Sequence, residues 1–302
     1  MLDAVKNLIV EKLGDEVGVE IAHPVKNGVE KTGFVISEKM GVCEKNISPI
    51  LYLPSSYEEW DAEEVADYIV ESYKKAINEN HDLDSLNLSV TADSLEISVR
   101  NARNIPDFDA KGVIYKAIPD TDLIEVAYAV AAQYEDGTAR FPVTRTSLKG
   151  GDLESEDDDA IIELAKKNTR ANAEIRLTPL EDMINLLMFG GDPGIQKTDA
   201  SFEDCGTFPI LVANGKRNLN GSWILSDQET MQKLYKRLGE KLFILPSSIH
   251  ELLILPQSAG LEEMGVDGLI GMVRDVNQTV VSSDDFLSDQ VFSYDGVLKA
   301  AS

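Results

Sequence analysis

Basic side chains, cysteine and histidine are all scarce in this chain of 302 residues. Lys and Arg together number 28 against 53 Asp and Glu, for a net charge of −25. Proteins that grip a phosphate backbone use clustered cations to release counterions, so direct nucleic-acid binding is not expected. The 2 cysteines, Cys43 and Cys205, lie outside any Cys-x-x-Cys spacing and cannot build a disulfide framework. They read as buried apolar thiols in a reduced, cytoplasmic setting. With 3 histidines there is little material for a zinc site, and neither metal nor cofactor is expected. No uncharged apolar run approaches the length of a membrane span, so no membrane association is expected either. The amphipathic start, with Leu2, Val5, Leu8, Ile9 and Leu13 at helical spacing, is unlike a secretory leader, and Lys-Ala-Ala-Ser at the end carries no lipidation signal.

What remains is a globular composition, 43% hydrophobic and 27% charged, with length enough for two domains. After the first helix, strands are expected over Val17–Ala22, Val29–Ile36 and Ile47–Leu53, with a hairpin turn at Lys26-Asn27-Gly28. A helix from Ser56 to Asn78 follows, burying Trp60, Val65, Ile69, Tyr73 and Ile77. This helix-β-β-β-helix unit is assigned to residues 1–112, although Leu95–Ala102 reads equally as helix or strand. Residues 113–302 are assigned to a second domain. There, Asp122–Gln133 and Ala139–Ser147 form a hairpin, and Phe208–Ala213 pairs with Ser222–Leu225 across Asn214-Gly215 and Asn220-Gly221. Leu242–Leu245 and Ile249–Leu255 flank Pro246-Ser247-Ser248. Helices are expected over Ala160–Ala171, Leu180–Met188, Gln228–Leu238 and Met264–Val276. The order suggests repeated β-β-α units within an α+β fold of antiparallel sheets, without the alternation of a doubly wound nucleotide-binding fold.

Motifs that could carry chemistry are few. Gly191 to Thr198 approaches a phosphate-binding loop, but Gln196 stands where the second glycine must let phosphate approach, and Pro193 removes a cradle N–H. Asp157-Asp158-Asp159 and Ser282-Ser283-Asp284-Asp285 lack the alternating oxygens of a calcium loop and read as helix starts. Ser247, Ser248 and His250 invite a serine-hydrolase reading, with Ser248 and His250 on one strand face. Against it, Glu251 points the other way and no nucleophile elbow occurs. The acidity itself allows a third reading, a nucleic-acid mimic that occupies the basic channel of a nuclease.

Leu245-Pro246-Ser247-Ser248-Ile249-His250-Glu251 resembles a bacterial family known only as a domain of unknown function. Asn46-Ile47-Ser48-Pro49-Ile50-Leu51-Tyr52-Leu53, Lys26-Asn27-Gly28-Val29, Leu164 to Thr169, Val276-Asn277, Leu287-Ser288-Asp289 and Tyr294 agree with it in order. The stretch from Asp122 to Leu255 is also similar to a second uncharacterised bacterial family, which shows Arg-Asp where Ser248 and Ile249 stand here. Neither resemblance implies an activity. The reading is therefore a non-catalytic protein that binds another protein or a small ligand. Asn46, Ser48, Ser247, Ser248, His250 and Glu251 are its candidate binding residues, with the Ser248/His250 hydrolase and the nucleic-acid mimic as alternatives.

Overall fold

In the computed structural model the described residues are 1–14, 16–38, 50–54, 56–78, 86–133, 138–173, 175–180, 210–215, 219–259 and 265–301. They pack as two compact units, Met1–Asn87 and Leu88–Ser302. The architecture is α+β with antiparallel pairing throughout. Among the described residues no helix is long and apolar enough to cross a membrane.

The first unit begins with helix α1 (Leu2–Leu13), strand β1 (Val17–Ala22), the two-residue strands β2 (Val25–Lys26) and β3 (Val29–Glu30), and β4 (Gly33–Glu38). The Asn-Gly turn forms, with Asn27 and Gly28 at φ 52° and 75°, but it joins only β2 and β3. The main ladder runs from β1 to β4, so the strand expected over Val29–Ile36 is split in two. Strand β5 (Ile50–Tyr52) adds to β4, and helix α2 (Ala62–Asn78) closes the unit. Val5 and Ile9 of α1 and Val65, Ile69 and Tyr73 of α2 meet Val19, Phe34 and Ile36 of the sheet in one core. This is how the helical 3.6 period and the strand period of two bury one face each. Lys12 ties the helices together through Glu63 and Asp67, at 2.6 and 2.8 Å.

The second unit starts with strand β6 (Leu95–Asn101), helix α3 (Ile105–Lys111) and strand β7 (Tyr115–Ala117). Leu95–Ala102 thus resolves as a strand. Its partner is the long β8 (Leu123–Gln133), in register from Leu95 opposite Ala129 to Asn101 opposite Leu123. This pairing places β6 in the second unit, ahead of the 112/113 boundary expected from sequence. On its other side β8 pairs with β7 and then with β9 (Thr138–Pro142). Helix α4 (Asp158–Asn172), capped by the Asp157 carboxylate on Ala160 N–H at 2.8 Å, packs Ile161, Ile162 and Ala165 into the core beneath β6 and β8.

The remaining elements are β10 (Arg176–Pro179), β11 (Leu211–Asn214), a 3-10 helix over Gly221–Ser226, α5 (Gln228–Leu238), β12 (Leu242–Pro246), β13 (Glu251–Pro256), α6 (Gly265–Thr279), β14 (Phe292–Tyr294) and β15 (Leu298–Ala300). A six-stranded sheet runs in the order β10-β11-β13-β12-β14-β15. Strand β12 is buried on both faces: Leu242 and Ile244 join the core shared with β6 and α4, while Phe243 and Leu245 meet Leu269 and Val273 of α6.

The order β-β-α occurs from Leu123 and again from Leu242, but the unit expected from Phe208 does not form. Ser222–Leu225 is 3-10 helix rather than a strand, and β11 pairs with β10 and β13 instead. Asn220 takes a left-handed conformation (φ 53°), and Gly221 and Ser222 donate their N–H groups to the carbonyls of His250 and Ile249 at 2.9 and 3.2 Å. A Cβ on Gly221 would lie 2.3 Å from the His250 carbonyl oxygen, so only glycine allows this approach.

Among the described residues the outer edge of β6 has no neighbouring strand, and four of its backbone groups are met by side chains instead. Asn168 Nδ2 donates to Leu95 O (3.2 Å), Thr169 Oγ1 accepts from Ile97 N–H (2.9 Å), Asn220 Nδ2 donates to Ile97 O (2.8 Å) and Ser222 Oγ donates to Val99 O (3.4 Å). Thr169→Val keeps the shape of the side chain but leaves the buried Ile97 N–H unpaired. It should cost about 1–3 kcal/mol in urea unfolding, whereas Lys167→Ala on the exposed side of α4 should stay within about 0.5 kcal/mol. Equal midpoints for the two variants would show that the edge bond is not needed.

Candidate functional site

A cleft of about 890 Å³ opens around the lower part of β6 in the second unit. The approach to β6 and the strand itself contribute Thr91, Asp93, Ser94 and Glu96; β8 and β9 contribute Val130, Gln133, Thr138 and Arg140. Thr169 and Asn172 come from the end of α4, and Asn220, Trp223 and His250 complete the wall. Trp223 is almost wholly buried, and its indole Nε1 has no acceptor among the described residues. An orphaned buried donor of this kind is uncommon in folded proteins.

Of the six candidate residues read from the sequence, His250 is the one placed in this wall. Asn46 and Ser48 lie outside the described residues, as do His81, Cys43, Cys205 and the Gly191–Thr198 loop. Ser247 and Ser248 form a tight turn, their N–H groups donating to the Glu251 carbonyl at 3.2 and 3.1 Å. Ser248 Oγ accepts from the His250 backbone N–H at 3.0 Å rather than meeting the imidazole. Burial raises the Glu251 carboxyl above its ordinary pKa, against the opposing hydrogen bond from Ser247.

Both nitrogens of the imidazole are engaged. Nδ1 accepts from Asn220 N–H at 3.1 Å, and Nε2 faces the Asp285 carboxylate at 3.3 Å. An acceptor at Nδ1 places the proton of the neutral ring on Nε2, where Asp285 receives it. Asn220 in turn accepts from Ser98 Oγ at 2.7 Å, so β6, the 3-10 helix and the start of β13 meet in one polar cluster. Burial lowers the His250 pKa; Asp285 opposes it, while Arg140 and Arg100 reinforce it.

Asp285 is the site residue that sequence reasoning missed. Its acidic run reads as a helix start, but no helix follows: Ser282 Oγ donates to the Asp285 carboxylate at 2.9 Å within a turn. The same approach to the six-stranded sheet is held by Asp122, whose carboxylate accepts from Ser288 Oγ (2.8 Å) and Asn101 Nδ2 (2.9 Å). Burial raises the pKa of Asp122 despite these bonds. On the inner face of β8, Glu125 pairs with Lys166 of α4 at 2.7 Å.

The sequence model of DUF5688, a family of unknown function, matches residues 1–296. No curated protein and no solved structure gives a match.

A depressed histidine pKa stabilises the fold above the ordinary value of about 6.5, and that stabilisation is lost as pH falls below it. Unfolding measured at pH 7 and at pH 5.5 should show a drop in the parent that is smaller in His250→Asn, whose amide oxygen can still accept from Asn220. The buried carboxyls Glu96, Asp122, Glu125 and Glu251 act in the opposite direction at lower pH and are common to both proteins. Identical pH dependence in the two would remove His250 from this role.

Proposed function

The chain belongs to this family of unknown function, and from the chemistry of its own cleft we propose that it is a non-catalytic binding protein that holds a small polar ligand beside His250. The observation that carries the proposal is the closed set of bonds around the imidazole. A general base must hold its acceptor nitrogen within reach of a nucleophile. Here Nδ1 is occupied by a backbone N–H and Nε2 by Asp285, while the hydroxyl of Ser248 is turned to backbone. The cluster therefore acts as a rigid wall. The polar lining and the unpaired indole N–H of Trp223 support a ligand that brings its own acceptors.

Two measurements test the proposal on the full chain. A fluorophosphonate probe should leave the folded protein unlabelled, and adduct formation at Ser247 or Ser248 would establish a hydrolase instead. Ligand-observed NMR with a mixture of small polar metabolites should detect binding in the parent. Gln133→Trp, which places a bulky ring on the exposed rim of the cleft, should abolish it with little change in unfolding midpoint. Undiminished binding in that variant would place the ligand elsewhere.

A further inference from the structure

Arg100 of β6 and Arg140 of β9 come from strands on opposite sides of β8 and converge on the same ring. Their guanidinium carbons lie 5.4 and 5.3 Å from the centroid of Tyr128. Among the described residues neither guanidinium makes a hydrogen bond or lies within 4.0 Å of a carboxylate. The Nε of Arg100 is buried without an acceptor. Burial first, and then the charge of Arg100, weaken the hold of Arg140 on its proton, with Tyr128 and Glu96 partly compensating. Burial also lowers the pKa of His250 beside them, with Asp285 opposing and the charges of Arg140 and Arg100 lowering it further. Two like charges gathered in a partly desolvated place repel one another, and the Glu96 carboxylate in the same cleft lining offsets that only in part.

We propose that the cleft takes an oxyanion, a carboxylate or phosphate group on a small molecule, bound by Arg140 of its lining, with Arg100, outside the lining but at the same Tyr128 ring, supplying a second positive charge. The inference rests on the reading of the cleft as a ligand site and names the chemistry of what enters it. A guanidinium offers paired N–H donors that match the two oxygens of either group, and the Tyr128 ring attracts both cations. An arriving anion supplies the missing acceptors and cancels the repulsion at once.

The test is titration calorimetry and thermal melting of the full chain with sodium phosphate, sodium succinate and sodium chloride at matched ionic strength. One saturable isotherm with phosphate or with succinate, absent with chloride, is expected; whichever of the two binds identifies the group. Arg140→Gln should weaken that binding by about 10- to 100-fold. Arg140→Lys, which keeps the charge but not the fork, should fall between the two. Circular dichroism reports whether each variant folds, and Arg100→Gln provides the same reading should Arg140→Gln fail to fold. Phosphate and succinate behaving like chloride, or unchanged affinity in Arg140→Gln, would overturn the proposal. Metabolite binding that Gln133→Trp blocks and Arg140→Gln leaves intact would sink the oxyanion assignment alone. The cleft reading would survive that result.

Discussion

Four backbone groups on the outer edge of β6 are met by side chains instead of by another strand. A sheet edge in a protein interior must satisfy its N–H and C=O groups somewhere, and each one left unpaired costs about 1–3 kcal/mol. Here the partners come from two places, Asn168 and Thr169 on α4 and Asn220 and Ser222 around the start of the 3-10 helix. Meeting that requirement fixes α4 along the sheet, brings Asn220 to β6 and, through the Asn220 N–H, orients the ring of His250. The cleft is the space left where these elements meet around an edge that no strand continues among the described residues.

The site inherits its character from that arrangement. Side chains committed to backbone groups are not free to do acid–base work, and the imidazole is bonded on both nitrogens. Among the groups without such commitments are the indole N–H of Trp223 and the guanidinium of Arg140, with that of Arg100 nearby, while Asp93 and Glu96 place carboxylates in the same lining. The three donors call for acceptors on any complementary molecule.

Much of the fold is legible in the sequence where periodicity is strong. Helices α1, α2 and α5 follow from apolar spacing, and β12 and β13 from continuous apolar runs around Pro246. Leu95, Ile97 and Val99 alternate as in a strand, but the deciding partner, Leu123 to Ala129, lies well downstream. Trp223, Ile224 and Leu225 look like a strand because burial alone gives no period; the bonds from Gly221 and Ser222 to the His250 segment select the tighter helix. Strands β14 and β15 have three residues each, too few for any pattern to register. The site is less legible than the fold. Asn220 and Asp285 reach His250 from 30 residues before and 35 after, and a Ser-x-x-Asp reciprocal bond looks the same whether or not a helix follows it. Arg100 and Arg140 are single cations in their strands, and only the pairing of both strands with β8 brings them together.

The sealed edge also has a timetable. On the ribosome β6 is complete long before its partners exist, since Asn168 follows Leu95 by 73 residues and Ser222 follows Val99 by 123. At ordinary elongation rates the longer interval is roughly 6–25 s. Throughout it an apolar strand carries open hydrogen-bonding groups, the feature that templates association with a neighbouring nascent chain. Crowded polysomes translating this message therefore carry this open edge through the middle third of synthesis, and slowing elongation there lengthens the exposure rather than relieving it.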